Sequence, residues 1–114
     1  MNIKEIDYKD RSEFLRGLSV IIRKNNCENI DEKTMFLTIG KYFGFEKGFC
    51  EKSLQHLMVN KYISEKPPVF STEFIAESII NEVTKIMSQT HPMSDTTVEL
   101  LQLAANVNTV NFVI

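Results

Sequence analysis

The chain has 114 residues, 43% hydrophobic and 25% charged, and its 13 Lys plus Arg against 15 Asp plus Glu leave a formal charge of −2. That length suits one domain, 1–114, with a single core that buries roughly two-thirds of the unfolded surface, and the near balance of charge argues against nucleic acid as a main partner, because phosphate binding needs a basic excess on one face. No apolar run approaches the roughly 20 residues of a membrane span, and the polar opening MNIKEIDYKDRSE has no signal-peptide form, so a cytoplasmic protein without a membrane partner is expected.

Residues 1–10 read as an N-terminal extension. From there Phe14, Leu15, Leu18, Ile21 and Ile22 recur at helical spacing and lay one stripe along a first helix, with Ser12 as its N-cap. Phe36, Ile39, Gly40 and Phe43 repeat the period and predict a second helix from about Glu32 to Phe43, ended by Gly44 in a positive-φ turn. A third is predicted from about Lys47 to Lys61, with Cys50, Leu54, Leu57 and Met58 on one face. Pro67 and Pro68 lack amide hydrogens and push their predecessors out of the α region, so residues 63–70 form an extended crossover. Ser71 then reads as the N-cap of a fourth helix running to about Ser88, with Phe70 and Ile75 at staple spacing. Thr96-Thr97-Val98-Glu99 has capping-box form and opens a fifth helix on Leu100, Leu103, Ala104 and Val107. The apolar tail 109–114 cannot form a sheet alone. It either docks on the helical core or meets a partner.

The first two helices superimpose on the last two. At an offset of 65, Phe14, Leu15, Leu18, Ile21 and Ile22 fall on Ile79, Ile80, Val83, Ile86 and Met87; at 64, Phe36, Leu37, Ile39 and Phe43 fall on Leu100, Leu101, Leu103 and Val107. Two pseudo-repeated hairpins are therefore expected, with one residue gained or lost in a loop. The fold class expected is all-α, a compact bundle of about five helices.

The order of KNNCENIDEK, FLTIGKYFGF, CEKSLQHLMVNKYI, PPVF, AESIINEVTKI and HPMSDTTVELLQLAA resembles the tellurite-resistance TerB-like family, especially its small stand-alone members, over nearly the whole chain. The resemblance lies in patterning and in the GKYFGF and NKYI…PPVF stretches. It implies an all-α bundle of pseudo-repeated hairpins, acidic hairpin loops associated with divalent-cation binding, and a role in stress or phage defence through protein partners. The family's loops typically carry Asp-Gly, then an apolar residue, then acidic positions. Here Cys27 and Glu28 stand in place of Asp-Gly in one loop, and Thr90 and His91 in the other; Asp31, Glu32 and Asp95 remain at the later acidic positions.

Candidate chemistry is sparse. Glu28, Asp31 and Glu32, with Asn25, Asn26 and Asn29 as carbonyl donors, could supply oxygen ligands to calcium or magnesium, although the spacing lacks the alternation and central glycine of an EF-hand. The competing reading is that Asn29 or Asp31 caps the second helix, Glu32 complements its dipole and Glu28 is solvated. Cys27 and Cys50 lack CxxC or Cys/His spacing, and a reducing compartment keeps both as thiols. His56 and His91 have no nucleophile or carboxylate at a local spacing that builds a catalytic pair. Tyr42, Phe43, Phe45 and Phe49 around Gly44 read as core at a helix-to-helix turn. The function expected is a non-enzymatic interaction module acting through a protein partner and needing no cofactor. The alternatives are a divalent-metal-binding regulator using Glu28, Asp31 and Glu32, and a small DNA-binding helix-turn-helix protein, for which the third helix offers lysines offset by Glu46 and Glu51 and no arginine.

Overall fold

A computed structural model describes residues 5–24, 30–90 and 95–112, the side chains of residues 30, 31, 89 and 90 excepted. Five helices follow in chain order: α1 (Tyr8–Lys24), α2 (Ile30–Tyr42), α3 (Lys47–Val59), α4 (Glu73–Thr90) and α5 (Asp95–Val107). There is no strand among the described residues, and no helix is long and apolar enough to cross a membrane. The apolar stripes meet in one core to which every helix contributes: Phe14 and Leu18 from α1, Phe36 and Ile39 from α2, Cys50 and Leu54 from α3, Ile79 and Val83 from α4, Leu101 and Ala104 from α5.

Four helix starts differ from the sequence expectation: α2 begins at Ile30, two residues before Glu32, and α1, α4 and α5 differ for local reasons. α1 begins four residues before Ser12, because the Asp7 carbonyl accepts from the Asp10 and Arg11 amides at 3.0 and 3.1 Å and closes the first turn there. α4 is capped by Thr72, whose Oγ1 accepts from the Ile75 amide at 3.1 Å. Ser71 is drawn away instead: its amide and hydroxyl both donate to the buried Asp10 carboxylate, at 2.9 and 2.8 Å. In α5, Thr96 lies inside the helix and is buried rather than capping it. α3 also stops two residues early, where the Asn60 side chain accepts from the Tyr62 amide at 2.9 Å and turns the chain.

The helix starts and the closing turns of the two hairpins share one offset. Tyr8 and Glu73, Ile30 and Asp95, Tyr42 and Val107, and Gly44 and Thr109 are each 65 residues apart. This replaces the mixed 65 and 64 expected from the apolar residues, and no residue is gained or lost between the halves. Burial follows the single offset: Phe36 matches Leu101 and Ile39 matches Ala104, all fully buried, whereas an offset of 64 would pair buried Phe43 with Val107, which is 45% exposed.

Both hairpins end in the same turn. After α2 the Gly44 amide donates to the Lys41 carbonyl and the Phe45 amide to Gly40, both bonds of a Schellman motif, with Gly44 at φ 90°. After α5 the Val110 amide donates to Ala105 at 2.9 Å, and Thr109 holds φ 55°. That region strains a β-branched residue. The turn sends the tail back onto the bundle, and Val110 and Phe112 pack half-buried against the core, so the tail docks as far as it is described. Relief of the Thr109 strain exceeds the entropy that glycine adds to the unfolded chain. Thr109→Gly is therefore expected to raise stability by about 0.5–1 kcal/mol, read as a higher urea midpoint at unchanged slope. An unchanged or lower midpoint would show that the turn carries no strain.

The crossover from α3 to α4 lies along α1 in the opposite direction, as the order of their contacts shows. Arg23 Nη1 donates to the Leu57 and Asn60 carbonyls at 3.1 and 2.7 Å, and Arg16 Nη1 to those of Ser64 and Lys66 at 2.9 and 2.6 Å. The Pro68 ring then lies on Gly17, where an added Cβ would come within 2.8 Å of it. Glu13 accepts from the Val69 amide at 3.4 Å, and Asp10 holds Ser71. Residues 10, 13, 16, 17 and 23 share one helical face, so α1 is covered on its polar side too, with Gly17, Ser19 and Val20 buried. From the far side, Asn108 closes the crossover. Its Oδ1 accepts from the Phe70 amide at 3.0 Å, while Nδ2 donates to the Pro68 and Ala104 carbonyls at 2.8 and 2.7 Å. An extended segment without ladder partners thus has its inward backbone groups satisfied by side chains, as burial requires.

Candidate functional site

The first candidates are the acidic residues before and within α2. Glu28 lies outside the described residues, as does the side chain of Asp31. The backbone places Asp31 in the first turn of α2, which begins at Ile30 and leaves Asn29, also outside the described residues, at the flanking position. Glu32 is 8% exposed in the same turn, where a carboxylate complements the helix dipole. Among the described residues, no group of three or more His, Cys, Asp or Glu could hold a metal ion. His56 is exposed on α3; Cys27 and His91 lie outside the described residues.

Cys50 is a core residue, 1% exposed, its Sγ lodged against Gly40 of α2 far inside the reach of any Cβ that might be added there. Burial raises its thiol pKa above the ordinary value by desolvating the thiolate. The thiolate is the reactive form, so Cys50 is expected to resist a thiol reagent at mildly alkaline pH in the native protein and to react at once in denaturant. Mass spectrometry of the labelled peptide reads this residue alone, and prompt native labelling would contradict the packing.

The aromatic group around Gly44 divides. Phe43 is fully buried, its ring 5.5 Å from that of Phe14, as expected of core. Phe45 is returned to the bundle by the Schellman turn and is half-buried. Its ring meets Tyr8 edge-on at 5.6 Å and stacks on Phe49 at 5.4 Å. Tyr8 and Phe49 are 58% and 45% exposed, and Tyr42 is 41% exposed with its hydroxyl 3.4 Å from Glu82 Oε2 of α4. The reading of this whole group as core is thus corrected: Phe43 is core, and Tyr8, Phe45 and Phe49 form a ledge at the bundle surface.

Arg11 completes the ledge. Its guanidinium lies 5.4 Å over the Phe45 ring, and Nη1 donates to the Phe43 carbonyl at 2.7 Å, tying α1 to the end of α2. Ring pairs of this kind contribute about 0.5–1.5 kcal/mol each and a cation over a ring about 0.5–1, so the mutual contact of the three rings is favoured before anything docks on them.

Comparison with protein-family models, with curated proteins and with solved structures finds no match to this chain. A ledge of two exposed aromatics on a third, with an arginine beside them, has the composition of interface anchors. The ledge presents ring faces and edges beside one guanidinium. A stripe that starts at Ser12 leaves Tyr8 out. Extending α1 back to Asp7 places Tyr8, Arg11 and Leu15 at helical spacing on one side, and that is the signal that could have found the ledge.

Proposed function

We propose that the chain is a non-enzymatic helical interaction module, TerB-like in type, which acts in the cytoplasm by docking a protein partner on the Tyr8–Phe45–Phe49 ledge. The single observation that carries this reading is the ledge: exposed rings already in mutual contact, so less side-chain freedom is lost on binding. The arginines support a protein rather than a nucleic-acid partner. All three in the chain lie on α1 and donate to backbone carbonyls of the same molecule, Arg11 to Phe43, Arg16 to Ser64 and Lys66, Arg23 to Leu57 and Asn60. Guanidinium groups held in this way are not presented to phosphates.

The double variant Tyr8→Ser/Phe49→Ser tests the proposal. The variant gives up both ring pairs, so stability should fall by about 1–3 kcal/mol, and a melting curve checks that it is still folded in the assay. Affinity capture from native lysate should recover a partner at near-stoichiometric yield with the unaltered chain and lose it with the variant. Equal recovery by both would place the contact elsewhere, and recovery of no partner by the unaltered chain would end the reading.

A further inference from the structure

We draw no further inference here: the strongest candidate, the exposed aromatic ledge of Tyr8, Phe45 and Phe49 at the α2–α3 turn, belongs to the site already described, and nothing in the structure shows what covers it beyond that reading.

Discussion

Replacing Asn108 by Leu is expected to lower stability by about 2–4 kcal/mol, measured as the loss of unfolding free energy in urea. The substitution keeps the volume and removes the polar atoms. It orphans two buried groups, the Phe70 amide and the Pro68 carbonyl, each costing about 1–3 kcal/mol without a partner. The Ala104 carbonyl keeps its bond from the Asn108 amide at 3.1 Å, so the cost comes from the crossover and not from α5. Asn108→Asp separates the two interactions: it preserves an acceptor for the Phe70 amide and sets a carboxylate against the Pro68 carbonyl. Its deficit relative to the unaltered chain should shrink on acidification, as the carboxyl takes up a proton and regains a donor. A loss below about 0.5 kcal/mol for Asn108→Leu would mean that solvent reaches these groups.

Gly40→Ala is expected to destabilise by about 2–3 kcal/mol, the range of overpacking in a tight core. The sign is informative, because the same exchange at an unobstructed helical position stabilises by roughly 0.5–1 kcal/mol. The obstacle is a single atom, the Cys50 Sγ, while the Cys50 Cβ stands at an ordinary 3.5 Å. Cys50→Ala removes that atom at a cost of about 1 kcal/mol. In its background Gly40→Ala should become neutral or favourable, so the double-mutant cycle should show a coupling of about 2 kcal/mol or more. Additive effects would show that α2 and α3 do not meet at this pair.

What could be read in the sequence was whatever rests on apolar spacing and glycine. Phe14 to Ile22, Phe36 to Phe43 and Ile79 to Met87 place their helices because each stripe is built from large hydrophobes, and Gly44 marks its turn because glycine alone takes positive φ without strain. The matching turn at Thr109 was invisible because a β-branched residue stands there. The register of the second hairpin differs by one from the apolar alignment for a similar reason. Beyond Leu100 and Leu101 its buried positions are Ala104, Ala105 and Asn108, which carry little apolar signal, while the more exposed Leu103 and Val107 attract the alignment. Ser71 and Thr72 are equally good caps locally. A carboxylate 61 residues away, Asp10, decides between them, and no local rule sees it. The ledge was half legible: Phe45 and Phe49 were noticed as a group, but their division into core and surface depends on where α1 begins.

The clamp on the crossover also couples the two hairpins to one another. The side of α1 that carries Asp10, Glu13, Arg16 and Arg23 is covered by residues 57–71, and that segment is held from the other side by Asn108 at the end of α5. Neither hairpin reaches its final state alone, because the last turn of the second completes the strap that lies over the first helix of the first. Loosening Asn108 is therefore felt on α1 as well as on α5, and the bundle is expected to unfold in one cooperative step rather than hairpin by hairpin.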